Sequence, residues 1–179
     1  EVKYLKTKNN LKKLNIKLES SQYSKLVIFD SKLIDTEIRV SINNSLKNKY
    51  LNSIKNTDYL TGCITIIDST VENIKFNADN LNCEDSINFI RTNGTVRDIN
   101  IKNSYSDAVD ADFSQLSFKN IEIETSKNDC LDLSGGDYII DKLLAFNCGD
   151  KGISVGEKSK VELISMIASN NIIDFVSKD

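Results

Sequence analysis

Proline, histidine and tryptophan are missing from this chain, and methionine occurs once. Each absence excludes something. Without histidine, and with no CxxC pair among Cys63, Cys83, Cys130 and Cys148, no ligand set has the spacing of a zinc site. No stretch approaches the roughly 18 consecutive apolar residues that a membrane-spanning helix needs, so no membrane span is expected. Proline removes a ladder hydrogen bond and is confined to edges and bulges, so its absence suits a chain of stacked strands. Alanine is scarce, which counts against a helical protein. No spacing of the four cysteines favours one disulfide pairing over another, and they read as small apolar filler or turn positions.

What is present is charge, unevenly spread. Residues 1–60 carry a net +6 and residues 61–179 a net −9. An acidic half argues against nucleic acid as a partner, because phosphate neutralisation needs a basic surface. The basic half is rich in Lys and Asn without interleaved aromatics and reads as a solvated face. At 179 residues the chain is long enough for one domain with a continuous core, and residues 1–179 read as a single domain. Phe175-Val176-Ser177 reads as the start of a further strand, so a segment of a longer chain is expected.

A repeat organises the sequence. Leu11, Leu14 and Ile16 recur as Leu33, Thr36, Ile38 after 22 residues, and as Val71, Ile74, Phe76 after a further 38. A step of 25 leads to Val96, Ile99, Ile101, and two steps of 22 to Phe118, Ile121, Ile123 and Ile140, Leu143, Ala145. A last step of 23 reaches Leu163, Met166, Ala168. A second register, Ile87, Val109, Leu131, Ile153 and Phe175, runs at steps of 22 with Phe89, Ala111, Leu133, Val155 and Ser177 two residues on. Both alternate with polar residues, the period-2 signature of strands with one buried face.

Asn, Asp, Ser and Gly supply the turns between them. The pattern predicts an all-β fold, a right-handed parallel β-helix of about seven coils near 22 residues each, strands of successive coils lying about 4.8 Å apart. One coil cannot bury its own apolar face; stacking does so along the whole axis. Val109, Leu131, Ile153, Ile99, Ile121 and Leu143 are the expected core. The step of 38 places an insertion over residues 43–59, where Leu46, Tyr50 and Ile54 fall four apart as in a loop or short amphipathic helix. The step of 25 predicts a three-residue bulge near Asp79-Asn80-Leu81. Sheet edges left open at the ends of a solenoid invite end-to-end association.

Polar columns flank the apolar ones. Asp85, Asp107, Asp129 and Lys151 form one; Glu84, Ser106, Asn128 and Asp150 precede it; Asn88, Asp110, Asp132 and Ser154 follow three residues on. Like charges stacked directly are destabilising, so Lys151, turn amides or a calcium ion must compensate. Asp107, Asp110, Asn128, Asp129 and Asp132 are the candidate calcium ligands. The alternative is that the aspartates cap turns and Lys151 bridges Asp129 across one coil.

Ser106-Asp107-Ala108-Val109-Asp110, Asn128-Asp129-Cys130-Leu131-Asp132 and Gly149-Asp150-Lys151-Gly152-Ile153-Ser154-Val155-Gly156 resemble the repeats of bacterial right-handed parallel β-helix proteins. That resemblance covers roughly residues 60–179 and implies an extracellular or cell-surface setting. The same residues are similar to polygalacturonases, which place an Asn-Thr-Asp, then an Asp-Asp one coil on, then a Gly-His-Gly and an Arg-x-Lys. Here Tyr105-Ser106-Asp107, Asn128-Asp129 and Asp150-Lys151-Gly152 take the first three places. Asn128 stands for an aspartate, Lys151 for the histidine, and no Arg-x-Lys occurs.

Calcium-dependent polysaccharide lyases on this fold also look similar. That resemblance implies calcium on the Asp/Asn ladder and Lys151 as the base that removes a sugar proton. The expected function is a non-catalytic β-helix module that scaffolds or binds a polysaccharide or cell-surface glycan. The rival is a lyase or glycoside hydrolase with Asp107, Asp129 and Lys151 as catalytic residues, and Arg91 as the nearest arginine in register.

Overall fold

The structure, a computed structural model, describes residues 2–6, 13–18, 25–42 and 60–178. Every element among them is a strand, and every strand pairing is parallel. The first sheet stacks Val2–Leu5, Lys25–Phe29, Gly62–Ile67, Asp85–Ile90, Asp107–Asp112, Leu131–Ser134, Lys151–Val155 and Ile173–Ser177 in that order. The second stacks Lys13–Leu18, Glu37–Ile42, Thr70–Asp79, Asn93–Lys102, Gln115–Ile123, Asp137–Phe146 and Lys160–Leu163. Lys32–Ile34 lies beside Thr70–Asp79, and Met166–Ser169 beside Asp137–Phe146. The chain alternates between the sheets, so each strand rests on the one a coil earlier: a parallel β-solenoid of about six turns, close to the seven expected. Among the described residues no helix is long and apolar enough to cross a membrane. The expected insertion at 43–59 lies outside the described residues.

The apolar columns hold the coils together. Ile87, Val109, Leu131, Ile153 and Phe175 are in register in the first sheet. Ile99, Ile121, Leu143 and Met166 are in register in the second. All but Met166 and Phe175 are buried. Fully burying such a side chain is worth about 1.5–3 kcal/mol. Between the sheets, Phe89 meets Phe76 and Phe118 edge to face, with ring centroids 5.6 and 6.0 Å apart.

Two steps of the repeat differ from the spacing read in the sequence. Leu14 pairs Ile38 and Ile16 pairs Val40, a step of 24 rather than 22. The irregularity expected at Asp79-Asn80-Leu81 lies instead between Val71 and Lys75, where Ile74 pairs Val96 and Phe76 pairs Ile99. This strand has one extra residue between Val71 and Ile74, where Asn73 takes a left-handed φ of 56°, and its partner has one, Arg97, between Val96 and Asp98, so the step is 23 on either side rather than 25. A slip of one residue would turn every side chain to the wrong face, whereas a slip of two preserves the alternation. Hydrophobic pattern alone therefore does not separate a step of 22 from one of 24.

The cysteines are a correction. Cys63–Cys83 and Cys130–Cys148 are disulfides, with Cα atoms 5.3 and 5.5 Å apart. Their separations of 20 and 18 residues fall just short of one coil, so each bond closes its own coil where the chain returns to the first sheet. At the same corner one coil after Cys63–Cys83, Ser86 and Ser104 join by a buried 2.7 Å hydrogen bond across 18 residues.

The opposite corner is built from left-handed residues and hydroxyls. Asp30, Asp68, Arg91, Phe113 and Gly135 have φ of 43°, 50°, 47°, 50° and 60°. Behind them Ser31, Ser69, Thr92 and Ser114 form a buried column, Ser69 Oγ accepting from the Ser31 N–H and Ser114 Oγ from the Thr92 N–H. Gly136 continues that column without a hydroxyl, and the buried Tyr138 Oη takes its place, 2.7 Å from the Ala111 carbonyl and 3.0 Å from that of Ser134. A Cβ at Gly136 would lie 2.6 Å from that phenol oxygen. Tyr138→Phe is expected to cost about 1–3 kcal/mol by removing the buried hydroxyl that bonds the Ala111 carbonyl, read as a lower urea midpoint with unchanged slope.

Candidate functional site

The polar columns lie on the first sheet and the corner leading into it. Asp107 pairs Asp85 in register, and Asn88, Asp110, Asp132 and Ser154 pair in succession. Sequence spacing places these side chains outside the barrel, but several are recessed: Asp85 and Asp129 are 3% exposed, Asn88 2% and Ser154 not at all.

Asp107, Asn128, Asp129 and Lys151 are brought together as one hydrogen-bonded chain climbing the solenoid. Asp107 Oδ1 accepts from the Asn128 amide and the Asp129 backbone N–H, both at 2.7 Å. Asp129 Oδ1 accepts from the Lys151 backbone N–H at 3.0 Å and its ammonium at 3.2 Å. The same ammonium donates to Asp150. Each aspartate thus caps the turn of the coil above it, through a backbone N–H 22 residues on.

The electrostatics follow from burial. The Asp150 carboxylate, with Asp129 behind it, holds the Lys151 ammonium above the usual lysine range. Burial raises the Asp129 carboxyl in spite of Lys151, and raises Asp107 in spite of its two donors. A lysine used as a base must lose its proton easily, through burial or cationic neighbours. Lys151 has the opposite surroundings. Arg91 is not part of this chain; it pairs with Asp68 at 2.7 and 2.9 Å on the exposed opposite corner.

Asp110 and Asp132 belong to the neighbouring column, which centres on Asn88. The Asn88 amide nitrogen lies 2.9 Å from Asp110 Oδ2, 3.1 Å from Asp85 Oδ2 and 3.0 Å from Thr61 Oγ1. Burial pushes the Asp85 carboxyl up to about 6, against hydrogen bonds from Thr61 and Asn88. Burial, then the charges of Asp85, Asp112 and Asp132, raises Asp110 well beyond the carboxylate range. Asp112, bonded to Asp110, is raised as well. Among the described residues no three carboxylate, thiolate or imidazole groups converge to hold a metal ion. Asp85 and Asn88 stand 22 residues before Asp107 and Asp110, so their place in the columns was readable; their depth and their joint contact with Thr61 were not.

A separate feature lies on the outer face of the second sheet. A shallow groove of about 480 Å³ is lined by Gln115, Ser117, Asp137, Ile139, Lys160 and Glu162. These are outward residues of three successive coils, in two columns that read Gln115, Asp137, Lys160 and Ser117, Ile139, Glu162. Comparison of the chain with models of protein families, with curated proteins and with solved structures gives no match. The fold is therefore established by its own register, and the resemblance to polygalacturonases and polysaccharide lyases rests on the quoted residues alone.

Proposed function

We propose that this chain is a non-catalytic β-solenoid module of an extracellular or cell-surface protein that binds polysaccharide along the outer face of its second sheet. The observation that carries the non-catalytic part is the state of Lys151. Its ammonium is held by Asp129 and Asp150, and Asp107 and Asp129 are engaged in capping backbone amides. The ammonium that would have to act as base is held in its charged form, and both carboxylates that would act as acid and base are committed to hydrogen bonds, whereas lyase or hydrolase chemistry needs them free. Disulfides persist in oxidising compartments and are rare where thiols are kept reduced, so the two bonds support a setting outside the cytosol. The groove on the second sheet supports the glycan, since three successive coils line it with an amide and a hydroxyl, a carboxylate, then an ammonium and a carboxylate around Ile139.

The test is paired. In affinity electrophoresis through gels containing neutral or uronate polysaccharide, the protein is expected to be retarded, and a Ser117→Arg, Ile139→Asp double variant to migrate freely. Incubated with polyuronate, it is expected to generate no absorbance from a new C4–C5 double bond and no new reducing ends. Either product, abolished by Lys151→Ala, would establish the enzyme reading instead. Absence of retardation by every polysaccharide would leave the scaffold without its ligand and sink the binding part.

A further inference from the structure

The column that passes through Asn88, taken with Asp85 of the adjoining column, is rich in oxygen acceptors. Besides the Asp85 and Asp110 carboxylates, it holds three buried oxygens with no hydrogen-bond partner: Thr65 Oγ1, Asn88 Oδ1 and Ser154 Oγ. Thr65 and Asn88 are neighbours in register, and both are more than nine-tenths buried. Beside them the column has no side chain, because Gly62 occupies the place of Asp85 one coil earlier. A Cβ there would lie 2.7 Å from Thr65 Oγ1 and 3.0 Å from Asn88 Cβ. Only glycine fits there, and the orphan hydroxyl and the Asn88 side chain close in over it. The Asn88 amide nitrogen faces three acceptors with two hydrogens, while its oxygen faces none. Amide orientation is assigned from such networks, and turning this one would put its oxygen among three more. The charges acting most strongly on Asp85 and Asp110 come from other carboxylates.

Buried oxygens left unpaired beside paired carboxylates lack a positive partner. We infer that Thr61, Thr65, Asp85, Asn88 and Asp110 form a site for a hard divalent cation of calcium's size, with the Asn88 amide turned to offer its oxygen. Two carboxylates with neutral amide and hydroxyl oxygens suit calcium, which accepts irregular all-oxygen coordination and completes it with water. Magnesium, which demands a near-ideal octahedron, fits less well. The ion would join three consecutive coils, through Thr61 and Thr65, Asp85 and Asn88, and Asp110. This set shares only Asp110 with the ligands expected from the sequence, and it stands apart from the glycan reading.

The experiment titrates chelator-treated, disulfide-intact protein with calcium chloride or magnesium chloride, by calorimetry and by thermal melting. One calcium per chain is expected, with a rise in Tm that magnesium reproduces only weakly. Asp110→Asn and Thr65→Val are expected to raise the calcium Kd by about tenfold or more while preserving the strand circular dichroism. Thr65→Val removes one oxygen at nearly constant shape, so its loss of binding is not a loss of fold. No calcium response in the parent protein overturns the inference, as does binding untouched by both substitutions. Calcium binding lost in Asp129→Asn but kept in Asp110→Asn also overturns it, placing the ion on the neighbouring ladder.

Discussion

Leu131→Asp is expected to unfold the solenoid. Leu131 is completely buried, stacked on Val109 below and Ile153 above. Removing a buried leucine costs about 2–5 kcal/mol through lost transfer energy and the cavity left behind. A carboxylate there must be buried unpaired or protonated against its preference, which adds several kcal/mol. The sum reaches the whole stability of an ordinary domain, about 5–15 kcal/mol. In a solenoid each coil is supported only by its neighbours, so the break removes the template for the coils on either side. Far-UV circular dichroism should show lost strand signal and no cooperative melt. Lys142→Ala, exposed on the outward side next to Leu143, is the control and should shift stability by no more than about 0.5 kcal/mol. A Leu131→Asp protein with native strand content and melting temperature would refute the column register.

Leu131 was legible in the sequence because a 22-residue step links five apolar residues in a row, and the first four are followed by a polar residue, Asn88, Asp110, Asp132 or Ser154. The columns from Val96 to Ala168 agree with the structure residue by residue. The reading failed where the only clue was period 2: Leu14 to Ile38 differs from the expected partner by two positions, a slip the alternation does not register. The disulfides were hidden for a related reason. Separations of 20 and 18 mean nothing along the chain, and acquire meaning only when a corner brings the end of a coil back over its start.

The candidate site divides in the same way. That Asp107, Asp129 and Lys151 stack was readable from spacing, and their mutual capping is the arrangement this stacking permits. Depth was not readable. Asp85 and Lys151 occupy equivalent places in one column, yet Asp85 is 3% exposed while the Lys151 side chain keeps 17%. Burial is set by neighbouring coils and by what covers the corner, and a one-dimensional pattern carries neither. The Asn88 centre escaped for want of Thr61, which belongs to the corner and to none of the repeating triplets.

The buried aspartates make the pH dependence of stability run opposite to the common case. Asp85 has a folded-state value of about 6 against an ordinary 3.8, so the native state binds its proton more tightly than the unfolded chain. Its contribution to stability is complete below the unfolded value and is lost as pH rises through about 6. A displacement of roughly two units corresponds to about 3 kcal/mol for a group this deeply buried. Asp107, Asp110, Asp112 and Asp129 are raised too and add in the same direction. Asp68 and Asp98 are lowered by their ion pairs and oppose it; the Asp68 pair is half exposed, where such pairs contribute little, and Asp98 is a single partly buried carboxylate against five that are raised. Urea unfolding in the presence of chelator should therefore give a lower midpoint near pH 8 than near pH 5, with the steepest fall between about pH 4 and pH 6, where the native state keeps the Asp85 proton and the unfolded chain has lost it. Asp85→Asn should flatten that fall, because asparagine presents the neutral shape at every pH. A stability that is level or rising between about pH 5 and pH 8 would mean that Asp85 and its neighbours meet water or a permanent countercharge, and that the acidic column is not buried as described.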